Sequence, residues 1–320
     1  MQTARKKIII DTDTASDDAV ALVMALREPT LQVLAITTVA GNVGVEQATQ
    51  NALMTIDYAE RETPPVYQGC AKPLYHPHIS AEGVHGEDGM GDLGTLVPSA
   101  RLPEKEHAVD ALIALGRRGG VELLALGPLT NVALAMMKDP EAMRGYTHIT
   151  LMGGAYTKGN TGHLAEFNLW EDAEAADYVF TFGVPITMVT IEACRDEAKL
   201  TRDDCDRIKA AGSRCGAFCV DCNRTLYEAS ARYGEPYFTL PDAAAAAVLL
   251  RPDLVAEQFD SYTRIECQSE LAYGATVNDR RPRDRVEFVS KKSTFPPFNC
   301  RVVHRLKAAE FKEWMIALIA

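Results

Sequence analysis

The stretch Lys7-Ile8-Ile9-Ile10-Asp11-Thr12-Asp13-Thr14-Ala15-Ser16-Asp17-Asp18 runs straight into a helical pattern that lasts to Arg27, and its reading decides the fold. Lys7 to Asp11 is a short apolar run ending in polar residues, which predicts a buried strand. From Ala15 to Arg27 the residues Val20, Leu22, Val23, Ala25 and Leu26 recur at helical spacing. The turn between strand and helix gathers four carboxylates, Asp11, Asp13, Asp17 and Asp18, within eight residues. Asp17 and Asp18 have a local explanation, because acidic side chains at a helix N-terminus cap it and suit its dipole. Asp11 and Asp13 have none: an unpaired charge at the end of a buried strand is costly. A hard divalent cation with oxygen ligands resolves the conflict, and Ca²⁺ or Mg²⁺ is the natural candidate.

Working outward, the same alternation continues. Leu31 to Ala40 reads as a strand and Val45 to Glu60 as a helix. Further strands are expected at Val121 to Gly127, His148 to Met152 and Pro185 to Ile191, with helices at Glu106 to Arg117, Leu129 to Lys138 and Asp172 to Phe182. Strand and helix in turn predict an α/β fold with a mostly parallel central sheet flanked by helices. Gln68 to Pro103 and Gly153 to Asn168 are long irregular segments, and loops of that length are usually functional or disordered. They are expected to gather beyond the carboxyl ends of the strands, where such sheets bind ligands. After Thr201 the pattern is helical up to Arg251. Strands follow near Tyr262 to Cys267 and Arg285 to Val289, with a last helix near Leu306 to Ile319. There is no internal repeat and no long linker, so 1–320 is expected to form one domain.

Composition bounds the function. The chain has 320 residues, 47% apolar and 24% charged, enough for a sizeable core. Its net charge of −11 argues against a nucleic-acid partner, which requires a surplus of Lys and Arg on at least one face. No apolar run approaches the roughly 20 residues of a membrane span. The apolar stretch after the basic start stops at Asp11, too short for a signal peptide. A cytoplasmic location is expected, and eight scattered cysteines fit free thiols in a reducing compartment.

Two enzyme classes share an aspartate-rich turn after a first strand. Phosphotransferases of the haloacid dehalogenase type carry Asp-x-Asp-x-Thr/Val with the first Asp as nucleophile, but Ala15 stands at the fifth position here. Nucleoside hydrolases carry Asp-x-Asp-Pro-Gly-x-Asp-Asp, and Asp17-Asp18 fit that pattern although Thr14 and Ala15 replace Pro and Gly. Later segments favour the second class. Val39-Ala40-Gly41-Asn42, Val84-His85-Gly86-Glu87, Gly127-Pro128-Leu129-Thr130-Asn131 and Met152-Gly153-Gly154-Ala155 follow in order. Asn160, Ala165-Glu166-Phe167-Asn168, Asp172 and Glu174-Ala175-Ala176 complete the series. From Ile8 to about Pro252 the chain resembles the nucleoside hydrolase family.

That resemblance implies hydrolysis of a ribonucleoside to ribose and free base, with Ca²⁺ as cofactor. By position Asp13, Asp18, the Leu126 carbonyl and Asp242 are the implied calcium ligands, and Asp13 is also the implied general base. Asp17 and Asn42 are implied to bind the 2′ and 3′ hydroxyls. Asn160, Glu166 and Asn168 are implied to hold the rest of the sugar, and Met152, Phe167, His85 and Tyr233 to line the pocket. Asp11 is implied to orient its neighbours. A homodimer or homotetramer is implied too. Alone, Asp242 would read as a cap of the helix Ala243 to Leu250.

The chain departs from the family on the side of the base. Where many members have a His before the distal Asp, to protonate the departing base, this chain has Pro241. His85, Tyr233, His163 and bulk water are the replacements left open. Purine-specific members stack the base between tryptophans, whereas Trp170 and Trp314 sit at no such position. Ala229 offers no hydrogen bond, and Glu192 stands where an aspartate is common. A non-catalytic ribosyl binder with the same pocket is the alternative. Cys215-x3-Cys219-x2-Cys222 has the spacing of an iron–sulfur motif, but it reads as one face of a helix, where buried thiols behave as small apolar side chains.

Overall fold

In the computed structural model, which describes residues 5–232, 234, 236–282 and 295–320, Ile8, Ile9 and Ile10 are fully buried. Successive side chains enter opposite faces of one sheet, Ile8 and Ile10 joining one apolar core and Ile9 the other. A strand buried on both faces needs a continuous apolar run, which is why Lys7 to Asp11 does not alternate.

The strands are β1 (Lys6–Thr12), β2 (Leu31–Thr38), β3 (Val66–Gln68), β4 (Val121–Ala125), β5 (Tyr146–Met152), β6 (Ile186–Val189), β7 (Leu200–Thr201), β8 (Tyr237–Phe238), β9 (Val255–Ile265), β10 (Thr276–Asp279) and β11 (Cys300–Leu306). Nine of them form one sheet in the order β10-β9-β11-β6-β5-β4-β1-β2-β3, and β7 pairs with β8 in a separate ribbon. Pairing is parallel from β3 across to β11, while β9 and β10 are antiparallel at the far edge. On one face pack the helices Ser16–Arg27, Val45–Ala59, Pro241–Leu250 and Ala308–Ile319. Ala108–Gly116, Thr130–Lys138 and Ala173–Phe182 cover the other. The mostly parallel sheet flanked by helices is the predicted fold.

Succession reverses at β1. From it the chain moves outward through β2 and β3, then returns to β4 on the other side of β1 and continues through β5 and β6. Loops leaving β1 and β4 therefore diverge and open a crevice at the carboxyl ends of these neighbours. Asp13 follows β1 and Leu126 follows β4, so the reversal itself places both at the crevice.

Several details differ from the sequence-based expectation. β11 and β10 were not anticipated, and the strand expected at Tyr262 to Cys267 is the end of the longer β9. β11 carries Val302 and Val303 buried on opposite faces, flanked by Arg301, His304 and Arg305, so its apolar signal is brief. The expected strand at Arg285 to Val289 lies outside the described residues, as does Tyr233, while the helix before Asp242 closes at Ala231. Between Thr201 and Arg251 the helical reading holds as four helices, interrupted by the strand Tyr237–Phe238.

Candidate active site

The aspartate turn lies at the bottom of the crevice. Asp11, Asp13 and Asp18 are fully buried, with Asp17 and Asp242 nearly so. Asp11 Oδ1 accepts from the Thr37 hydroxyl at 2.6 Å and the Asn131 amide at 2.9 Å, while its buried Oδ2 has no hydrogen-bond partner. Asn131 also donates to the Thr38 carbonyl and accepts from the Cys70 amide, joining the ends of β1 and β2 to the loop after β3. Asp18 accepts from Thr12 Oγ1, from the Ala15 amide at 2.9 Å and from Asn42 Nδ2 at 3.2 Å. Asp13 Oδ2 takes the Asn42 backbone N–H at 2.6 Å.

Two glycines allow this approach. A Cβ on Gly41 would come within 2.1 Å of Asp13 Oδ2, and one on Gly127 within 2.7 Å of Asp13 Oδ1. The Gly of Ala40-Gly41-Asn42 and that of Gly127-Pro128 thus leave room for one carboxylate.

Other carboxylate oxygens stay without a partner. Asp13 Oδ1, Asp17 Oδ1 and Asp242 Oδ1 are buried and accept no hydrogen bond. One oxygen from each of Asp17, Asp18 and Asp242 falls within a sphere where all lie within 4.8 Å of one another. Among the described residues no Lys or Arg forms an ion pair with any of them; the nearest cationic candidate is His85, its Nδ1 3.7 Å from Asp17 Oδ1. Burial foremost, then mutual repulsion, raises the affinity of these groups for protons. Burial pushes the Asp17 carboxyl up to about 6, and burial with the charge of Asp17 does the same to Asp18. Asp13 and Asp242 are driven well above the usual carboxylate range by burial and then by Asp18. Buried acceptors without donors and carboxylates crowded without a counter-charge fit an oxygen-liganded divalent cation. The residues are therefore suited to hold a metal.

Above this floor lies a cavity of about 220 Å³ lined by Asp17, Asn42, His85, Leu126, Met152, Asn160, Glu166, Phe167, Asn168 and Asp242, among others. Asp13 and Asp18 sit beneath it, and Tyr233 lies outside the described residues. Asn168 spans β4 and β5 by donating Nδ2 to the Leu126 carbonyl at 2.7 Å and towards Met152. Glu166 caps the helix Phe167–Glu171, accepting from the Asn168 and Leu169 amides and from Gly154 N–H at 2.9 Å. Burial pushes its carboxyl up to about 7 despite these donors. Asn160, on the exposed rim, accepts from the Phe167 amide at 3.0 Å.

Sequence reading gave no role to Ser16, Ile191, Leu226 or Thr239. Ser16 Oγ lies 2.8 Å from His85 Nδ1, while the other three join the lining. Burial lowers His85 to about 4, so its imidazole is neutral. Only the proximity of Thr239 to Asp242 in the chain hints at any of this. Trp170, Trp314 and the exposed His163 take no part in the lining. Glu192 is a loop anchor instead: it accepts from the Tyr156, Thr157 and Lys158 amides, which outweigh burial and bring it to about 2. Cys215, Cys219 and Cys222 are buried on or beside the helix Arg214–Asp221 and are free, packed in the apolar core as expected of a helix face.

Comparison with known proteins gives the same answer over nearly the whole chain. The family model "Inosine-uridine preferring nucleoside hydrolase" matches residues 8–313. The pyrimidine-specific ribonucleoside hydrolase RihB of Escherichia coli strain SE11 is 36% identical over 278 residues, covering 86% of this chain and 88% of that protein. A solved plant nucleoside hydrolase superposes with a TM-score of 0.89 at 30% identity, covering 98% of this chain and 99% of the other. The purine-preferring ribonucleoside hydrolase of Gardnerella vaginalis superposes with a TM-score of 0.87 at 28% identity, over 98% of each chain. With the aspartate floor, the crevice at β1 and β4 and these likenesses together, the chain belongs to the inosine-uridine preferring nucleoside hydrolase family and is an enzyme that hydrolyses ribonucleosides to ribose and free base.

Proposed function

We propose that the cavity over the aspartate floor performs this hydrolysis with Ca²⁺ held by Asp13, Asp18, Asp242 and the Leu126 carbonyl. The unpartnered oxygens Asp13 Oδ1 and Asp242 Oδ1, buried with no cationic side chain in reach, are the observation that carries the reading. When bound, the ion supplies a Lewis acid that lowers the pKa of water and grips sugar hydroxyls. Asp13 acts as general base. Its Oδ2 accepts from the Asn42 amide, which fixes the carboxylate that takes the proton of the attacking water. Asp17, whose Oδ1 accepts no hydrogen bond, and Asn42 bind the 2′ and 3′ hydroxyls. Asn160, Glu166 and Asn168 hold the remainder of the sugar, while Met152, Phe167 and His85 form the walls. Asp11 steadies the turn through Thr37 and Asn131.

Cleavage passes through a ribosyl cation, and buried carboxylates favour the positive charge as it develops on the sugar. The chemistry thus gives the acidic floor a purpose beyond metal binding. Strands from both halves of the chain enter one sheet, which supports a single domain over 1–320. Family resemblance supports a homodimer or homotetramer, which light scattering measures. Replacing Asp13 tests the mechanism: Asp13→Ala abolishes ribose release, and a normal rate would overturn the role given to it.

A further inference from the structure

Between the end of β5 and Asn160 the chain runs as a strap with little pairing of its own. Among the described residues no backbone carbonyl accepts from the N–H groups of Tyr156, Thr157 or Lys158. All three donate instead to one carboxylate. Glu192 Oε1 takes them at 3.0, 2.7 and 3.0 Å, and its Oε2 shares the Tyr156 N–H at 3.0 Å. The Thr157 hydroxyl adds a contact at 3.2 Å. Successive N–H groups converging on one anion form a nest, and an ionised acceptor strengthens each hydrogen bond. Burial alone would raise the Glu192 carboxyl, but these donors bring it to about 2, so it is ionised near neutral pH. Arg195 grips the next stretch by its carbonyls, donating Nη1 to Lys158 at 2.7 Å and Nη2 to Gly159 at 3.3 Å. Both anchors belong to the segment after β6, where Ile191 donates its N–H to the Gly154 carbonyl at 3.1 Å. The strap is thus tied through its donors and its acceptors up to the residue before Asn160, which lines the cavity. Asn160 Oδ1 is occupied by the Phe167 amide at 3.0 Å and the Thr161 hydroxyl at 3.2 Å, so Nδ2 is the group left to donate. A ribose carries hydroxyls at 2′, 3′ and 5′. With the first two given to Asp17 and Asn42, the 5′ hydroxyl is the acceptor that remains.

We propose that Glu192 is a positioning residue for this end of the substrate, holding Asn160 through the nest at 156–158 so that its amide meets the 5′ hydroxyl. The inference rests on the sugar contact given to Asn160 above. Glu192 itself is absent from the lining of the cavity, so it acts through the strap and not on the substrate. Without it three N–H groups turn to water, and Asn160 must be ordered each time a substrate binds, which costs conformational entropy. Held beforehand, the amide offers its hydrogen bond to the transition state at no such cost. A contact remote from the reacting carbon can then raise kcat as well as lower KM.

The test compares uridine with 5′-deoxyuridine, and inosine with 5′-deoxyinosine, in the metal-loaded enzyme. The readout is the ratio of kcat/KM within each pair, which a general loss of folded or metal-loaded protein leaves unchanged. The wild-type enzyme is expected to favour the 5′ hydroxyl by about tenfold or more, the size of one hydrogen bond. Residues 156–158 are exposed, so water satisfies their N–H groups in Glu192→Ala and the fold survives. That variant is expected to bring the ratio towards one while the 5′-deoxy rates stay near wild type. Asn160→Ala should do the same, and the double variant should be no worse than Asn160→Ala alone, because both act through one contact. Glu192→Gln keeps the reach without the charge and should fall between wild type and Glu192→Ala. A Glu192→Ala variant that loses both rates alike, with the ratio intact, would overturn the positioning role and leave the sugar contact of Asn160 standing. An unchanged ratio in Asn160→Ala, or no preference in the wild type, would overturn that contact and the proposal with it.

Discussion

Asp13 has one oxygen against the Asn42 amide and one with no partner, the arrangement a base needs if it is to be both fixed and available. Asp13→Ala is expected to lower kcat by about 10³-fold or more, the usual reach of a positioned general base. Asp17→Ala removes a group assigned to the sugar hydroxyls, so KM should rise more than kcat falls. Steady-state kinetics on both variants separate the roles, and an Asp17→Ala defect confined to kcat would contradict them. Asn131 is a different kind of residue, touching Asp11, Thr38 and Cys70 but not the cavity. Its loss leaves Asp11 short of a donor in a fully buried site, at a cost of about 1–3 kcal/mol, which urea denaturation measures. The aspartates were legible in the sequence because four charges in eight residues demand an explanation. Ser16 and Leu226 were not, because a serine at a helix start and a leucine in a helix carry no distinguishing signal; only the fold brings Ser16 to His85 and Leu226 into the lining.

At the scale of elements, the turn after β1 works because the neighbouring turns leave room for it. Gly41 lies after β2 and Gly127 after β4, and each would drive a Cβ into the Asp13 carboxylate. Gly41→Ala is therefore expected to displace Asp13, lowering kcat by about 10²-fold in the manner of a misplaced catalytic group. Circular dichroism and kcat measured together check this: a folded variant with full activity would show that the approach is unimportant. The alternation through β1, β2, β4, β5 and β6 was readable because fully buried parallel strands need continuous apolar runs and their helices need a periodic face, whereas the three-residue β3 was not anticipated. β10 and β11 were missed because they mix charged and apolar residues. In β11 the buried Cys300, Val302, Val303 and Leu306 are interrupted by the exposed Arg301 and Arg305.

For the whole molecule, the acidic floor links metal, pH and stability. Asp11 and Glu166 are raised to about 7, Asp17 and Asp18 to about 6, in each case chiefly by burial. A carboxyl raised on folding binds more protons in the folded state than in the unfolded one. Its contribution is then largest in acid and is lost as pH rises from the unfolded value, about 4, through the folded values. His85, lowered to about 4, opposes this as a single group. The chelated protein should thus melt at a lower temperature at about pH 8 than at about pH 5.5, and Ca²⁺ should restore it most at the higher pH. Differential scanning calorimetry reads both effects, and a chelated protein more stable at the alkaline end would contradict the account. The crevice at β1 and β4 could be anticipated from the α/β alternation, but the depth of the floor beneath the cavity could not, since burial is a property of the folded chain. The central claim is that this floor works through a bound cation, and ribose release from a nucleoside panel before and after chelation tests it most directly. The account predicts release that stops on chelation and returns with added Ca²⁺; an undiminished rate in the chelated enzyme would contradict it.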